Sequence, residues 1–258
     1  MREVRIGRHK VMLYDSIEEL PMVRFHKYNK MLLIDAGIGS DIQAFDAHVE
    51  KVVRYMRNGD AEDAAKELEN LRQSVYVVQT EQSPRNLSFA CLVAKVDGRD
   101  CDDISDEGLE RTRALLSDVR VKEMATVRAE AKKKIDAELT QYFPGLFSSV
   151  EEREYYDNMK RMAVAQLEQI TDGESEKRTE RIRELEDRLV LAVKPQVFVG
   201  RDAFGVQHDR QFERMCLMLA VNLNVNAKRM TVMEYYMASE YMAEMMKERQ
   251  KLTAKSRK

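Results

Sequence analysis

The chain has 258 residues, 44% hydrophobic and 34% charged, with 10 glycines, 4 prolines and no tryptophan. That length supports one large or two modest cores, and turn residues are too scarce for a strand-rich fold, so a mostly α protein is expected. Lysine plus arginine at 43 against aspartate plus glutamate at 45 leaves a formal charge of −2, which excludes a global field drawing the chain onto nucleic acid or anionic lipid.

From the N-terminus, Val4 to Ile6 and Val11 to Tyr14 are β-prone runs broken at Gly7. Ser16 and Glu19 have capping-box spacing, so the chain is expected to turn helical there; Pro21 opens a second helical stretch to about Ala36, and Gly37 supplies a left-handed stop. Asp41 to Asn58 spaces Ile42, Phe45, Val49, Val52 and Met56 as one apolar stripe, closed by Gly59-Asp60. Residues 61–80 repeat the pattern with Ala64, Leu68, Leu71, Val75 and Val78, and Ser83-Pro84 starts a helix running through Val96. The links are short, so these three helices are expected to be antiparallel neighbours in an N-terminal bundle.

After the turn from Asp97 to Gly108, helices are expected at about 106–117 and 119–142, the second with Val121, Met124, Ala131, Ile135 and Leu139 on one side. Tyr142-Phe143-Pro144-Gly145-Leu146-Phe147 stops it. A helix over 151–171 turns Tyr155, Met159, Met162 and Ile170 inward and ends at Gly173. The charge-dense stretch 175–193 carries only a thin seam of Ile182, Leu185, Leu189 and Val193, suited to a bundle edge or a partner, and Pro195 terminates it. Gln196 to Gln207 places Val197, Val199 and Val206 around Gly200 and Gly205, the pattern of a β-hairpin near 196–206 or an exposed arm. Gln211 to Tyr236 reads as helix, asparagine-rich turn and helix, the last opened by a capping box of Thr231 and Glu234. No repeat of fixed period is present. The expected fold class is all-α, an antiparallel helical bundle or bundles with a small N-terminal β element. The expected division is 1–98, the β element plus a helical bundle, and 99–258, a C-terminal helical bundle with a basic tail.

Residues able to carry chemistry are scattered. The acidic turn from Asp97 fails the calcium-loop register, because Arg99 and Cys101 stand where oxygen ligands belong, whereas Ser105 is placed to cap the next helix. His9, His26, His48 and His208 show no spacing that puts two ligands on one helical face. Cys91, Cys101 and Cys216 are odd in number and far apart, which predicts a reducing compartment, and Cys91 and Cys216 lie within apolar stripes where a thiol packs as a small hydrophobe. Gly37-Ile38-Gly39-Ser40 lacks the lysine and third glycine of a phosphate loop. No catalytic, metal or cofactor set is expected. The first ten residues lack an apolar core and no stretch nears the roughly 20 apolar residues of a membrane span, so the expected location is cytoplasmic.

Two features point to partners. Lys247 to Lys258 is strongly basic, which opens a nucleic-acid reading, although no aromatics are interleaved. Methionines concentrate near the C-terminus, where flexible thioethers suit an adaptable protein-binding groove as well as core filling. Met233, Tyr236, Met237, Tyr241 and Met245 of the last helix are the candidate partner-binding residues.

Four phrases carry a family likeness: Leu13 to Lys30, Glu67 to Gln73, Ala90 to Gly98, and Gln211 to Tyr236 with Met230-Thr231-Val232-Met233-Glu234 at its helix start. They resemble tail-module proteins of tailed bacteriophages and prophages, the last being similar to the C-terminal pattern of helical tail assembly chaperones. The resemblance covers about a third of the chain. It implies a non-catalytic protein of the host cytoplasm that binds an apolar partner, such as a tape-measure helix, during tail assembly. The greater length and a differing N-terminal region leave a structural component of the virion as the alternative. No functional residue is carried over by the resemblance.

Overall fold

The computed structural model describes residues 1–39, 42–80, 84–147, 150–173, 175–192 and 194–256, with side chains for all of these except 42–44, 78–80, 146–147, 150–153, 191 and 252–256. In chain order the elements are β1 (Arg2–Ile6), β2 (His9–Leu13), α1 (Met22–Ile38), α2 (Ile42–Arg57), α3 (Ala61–Thr80), α4 (Pro84–Leu92), β3 (Val93–Val96), β4 (Arg99–Asp100), α5 (Asp106–Ala114), α6 (Val121–Tyr142), α7 (Val150–Asp172), α8 (Glu176–Ala192), α9 (Phe204–Leu223) and α10 (Val232–Ser256). Short 3-10 turns lie at Pro144–Phe147 and Ala227–Arg229. The protein is 73% helical with a small antiparallel sheet, a mostly all-α fold.

The chain forms two compact units that interleave along the sequence: residues 1–36, 82–143 and 201–258 in one, and 37–81 with 144–200 in the other. The sequence reading divides the chain once, after Gly98. Compactness follows contacts between helices distant in sequence, which a linear reading does not see.

In the first unit the strands run in the order β1-β2-β3-β4, all antiparallel. Gly7, at φ +57°, helps turn β1 into β2. Asp97 and Gly98, at φ +49° and +81°, make the left-handed pair that a two-residue hairpin between β3 and β4 requires. The expected helix through Val96 therefore stops at Leu92. Val93 to Val96 pairs instead with β2, where Val11, Leu13 and Val93 are fully buried. Ile6, Phe25, Leu92, Leu109, Ile135, Leu139, Leu219 and Val232 close one core around this sheet. Ser105 caps α5 as expected, accepting from the Gly108 amide at 3.1 Å.

The box expected at Ser16 does not form. Residues 16–20 are a turn in which the Ile17 amide and the Ser16 hydroxyl both donate to Glu138 of α6, at 2.8 and 3.0 Å. A long-range acceptor has replaced the local one, and Glu19 pairs with the N-terminal amine. The box at Thr231 does form. The Thr231 amide donates to Glu234 (2.9 Å), and the Glu234 amide to the Thr231 hydroxyl (3.3 Å). Orphan amides at the starts of α1 and α10 are met across the chain, Met22 donating to the Met230 carbonyl (2.8 Å) and Val232 to that of Leu20 (2.9 Å). The α9–α10 hairpin turns at Asn224, φ +55°, as the asparagine-rich phrase predicted.

The second unit consists of two helical hairpins. Gly59 (φ +80°) links α2 to α3, and Gly173 (φ +84°) lies between α7 and α8. Arg54 of α2 forks to Glu186 (2.7 Å) and Asp187 (3.0 Å) of α8, and the Tyr55 hydroxyl donates to the Val190 carbonyl at 3.0 Å. Of the three helices expected to be consecutive neighbours, only α2 and α3 pair in this unit; α4 packs on α5 and α6 in the other. The left-handed stop after α1 is Gly39 (φ +74°) rather than Gly37, which stays helical. Gly37 is instead a close-approach site, because the Phe198 ring occupies the space a β-carbon would need. The hairpin expected near 196–206 is absent among the described residues: 194–203 has no regular pairing and α9 begins at Phe204. Pro195 offers no amide, and Phe198 packs on Gly37 instead of facing a second strand. Ser40, Asp41, Ser83 and Val193 lie outside the described residues, as do the side chains of Ile42 and Val78.

Candidate functional site

The second unit carries its apolar stripes on the outside. Phe45, Val49, Val53 and Met56 of α2 are exposed, Met56 by 66%, while the residues one face round, His48 and Tyr55, are buried. On α3 Leu68 and Val75 are exposed and the inward positions are Ala64, Glu67, Asn70, Ser74 and Val77. The sequence stripe on each helix was correctly apolar. Of these stripe residues Phe45, Val49, Met56, Leu68 and Val75 face solvent, Val52 and Leu71 are half-buried and Ala64 is buried, because a hydrogen-bonded polar seam holds much of the inward face.

His48 anchors the seam. Its Nε2 donates to the Ile38 carbonyl at 2.6 Å and its Nδ1 faces Glu67 at 2.7 Å. Burial alone would raise the Glu67 carboxyl, but the His48 hydrogen bond, the Lys51 charge at 3.5 Å and Asn70 together hold it below the usual range. A groove of ≈ 590 Å³ between α2 and α8 has Val49 and Val53 as its apolar wall and the Arg54 pairs at its side.

Helix α7 has two apolar faces. Tyr155, Met162 and Ala165 are turned in, whereas Tyr156, Met159, Leu167 and Ile170 are exposed, Ile170 by 79%. Met159 and Ile170, expected inward, belong to the outer face. The signal was present in the sequence, since two staggered stripes on one helix mean that one neighbour cannot cover both.

In the first unit, α10 distributes the five candidate partner residues over two settings. Met233 and Tyr236 pack partly against the core, Met245 is half-buried, and Met237 and Tyr241 stand on the surface, spaced one helical turn apart. Near the end of α9, Leu217 and Val221 are exposed, Val221 by 82%. Leu217, Cys216 and Val225 line a hollow of ≈ 460 Å³ with the Lys228–Glu213 ion pair (2.6 Å) along its lining. Burial pushes the Cys216 thiol up, so it packs as a hydrophobe there. The side chains of the basic tail beyond Lys251 lie outside the described residues.

Tertiary structure assembles two histidine clusters that the spacing rules missed. His9 lies between Asp97 (2.6 Å) and Asp118 (2.8 Å), and those hydrogen bonds raise its pKa above the ordinary 6.5. His26 of α1 and His208 of α9 stack at 4.4 Å, with His26 also bonded to Asp209 at 2.9 Å. Burial lowers both below 6.5; for His26 it outweighs Asp209, and for His208 the neighbouring His26 adds to it. The ligand atoms of His26, His208 and Asp209 lie within 4.8 Å of one another, the one such group among the described residues. Two imidazoles and a carboxylate are ligands a first-row transition ion accepts. The arrangement does not fit an ion, however. Rings stacked at an interplanar angle of 16° aim their in-plane lone pairs side by side, and the Lys30 ammonium already holds Asp209.

No protein-family model, curated protein or solved structure matches the chain. Among the described residues no helix is long and apolar enough to cross a membrane.

Proposed function

We propose that the chain is a non-enzymatic assembly protein of the phage tail-module type, working in the host cytoplasm and gripping protein partners through amphipathic helix faces. One observation carries this reading: on α2 the apolar stripe of Phe45, Val49, Val53 and Met56 faces solvent while histidine and tyrosine fill the inward face. Monomeric soluble proteins rarely leave contiguous apolar faces uncovered, and such faces mark interaction sites. The exposed pairs Met237–Tyr241 and Leu217–Val221 add smaller docking points of the same chemistry. The polar clusters support the non-catalytic reading, since His9, His48 and Asp209 already spend their polar atoms on internal partners. The partner this predicts is an apolar or amphipathic helix, such as a tape-measure segment.

The test is co-expression with helical tail-module proteins, followed by affinity recovery of the untagged partner. A partner kept soluble by this chain, and lost with Val49→Glu/Met56→Glu, is expected. Equal recovery with that variant would refute the role of α2. A structural place in the virion is the second reading, and detection of the chain in purified particles would favour it.

A further inference from the structure

We propose that the outer face of α7 pairs with the same face of a second copy, antiparallel, about a twofold axis passing through Ala163. The inference rests on reading the bare helix faces as docking surfaces, and it names the occupant of one of them. Helical residues step by about 100°, so Tyr156, Met159, Ala163, Leu167 and Ile170 fall within one stripe about 80° wide. All five are exposed. The stripe is symmetric about its smallest member: Tyr156 and Ile170 lie seven residues either side of Ala163, and Met159 and Leu167 four. Laid antiparallel on itself, α7 sets tyrosine against isoleucine and methionine against leucine, with alanine meeting alanine at the crossing, where a small side chain lets the backbones approach. A self-complementary patch of this kind is what an isologous contact requires.

The four large side chains leave on the order of 400 Å² bare per copy, which with its flanks suits the small, weak class of interface rather than an obligate one. Self-association in the micromolar range is therefore expected.

Sedimentation equilibrium of the full chain over about 1 to 100 μM should show mass rising from one 30.0 kDa chain towards two. Leu167→Glu/Ile170→Glu, both at exposed positions, should remain monomeric throughout with an unchanged circular dichroism spectrum. Cys91, Cys101 and Cys216 are all buried, so an added surface thiol reports cleanly. Ala163→Cys should give a disulfide dimer on mild oxidation, and Tyr156→Cys should do so only together with Ile170→Cys. Monomeric wild type across the range, a dimer indifferent to the glutamates, or crosslinking no better at residue 163 than for Glu154→Cys on the opposite side would overturn the proposal. If the helical partner of the co-expression test is recovered while the wild type stays monomeric, the twofold pairing fails and the docking reading stands.

Discussion

Arg24 gives the sharpest quantitative test of the first unit. It is buried at 4% exposure, and its guanidinium donates to the Val93 carbonyl at 3.0 Å, to that of Cys91 at 3.2 Å, and to that of Cys101. Its nearest carboxylate, Asp102 at 3.7 Å, is largely exposed, and the Tyr14 ring centroid lies 5.3 Å away. One side chain of α1 thus ties down the end of α4, the strand β3 and the residue after β4. Hydrogen bonds from a charged donor contribute about 1.5–3 kcal/mol each, and burying a guanidinium costs several kcal/mol in return. Arg24→Ala removes the donors and strands three carbonyls, for a net loss of about 4 kcal/mol. Arg24→Lys keeps the charge without the fork and should lose about 2 kcal/mol, because one ammonium cannot reach all three acceptors. Urea titration followed by far-ultraviolet circular dichroism and tyrosine fluorescence measures both. With a slope of about 2 kcal/mol/M, the alanine variant should unfold at about 2 M less urea. If the two units melt separately, the shift belongs to the phase containing the sheet. A shift below about 0.5 M, or equal losses for lysine and alanine, would show that the clamp is not what holds β3.

Three further outcomes are expected. Glu67, whose folded pKa is lowered from 4.5, stabilises the second unit above its unfolded value, and that contribution is lost as pH falls through the folded value. Glu67→Gln should cost about 2–3 kcal/mol at neutral pH and flatten the acid limb of the stability curve, as urea midpoints at several pH values would reveal. Histidine titration by nuclear magnetic resonance should place His9 above 6.5 and His26 and His208 below it. His9 then adds stability that is full below 6.5 and fades as pH rises through its folded value, while the stacked pair add stability present above 6.5 and lost on acidification; a single common midpoint would refute both placements. Thr231→Ala should cost about 1 kcal/mol and increase amide exchange in the first turn of α10, an effect that Thr231→Ser should largely avoid.

The sequence by itself determined the elements whose signals are local. The β1–β2 hairpin, the Ser105 cap, the span of α6, the Gly59 and Gly173 stops and the Thr231–Glu234 box all arise from groups a few residues apart, so no distant partner is needed to read them. The Asp97-Gly98 pair carried a hairpin signal of the same kind, and giving it weight would have exposed β3 and β4. Only the tertiary structure decided which contacts win where local and distant partners compete. Glu138 took the donors of Ser16 and Ile17 from the expected cap, β2 drew Val93 to Val96 out of a helix, and α1 and α9 brought two distant histidines face to face. The same limit governs the candidate surfaces. A periodic stripe shows that a face is apolar but not whether anything covers it. On α2 and α7 the helical spacing was legible, and the direction it faces was settled by the His48–Glu67 seam and by the packing of Tyr155 and Met162.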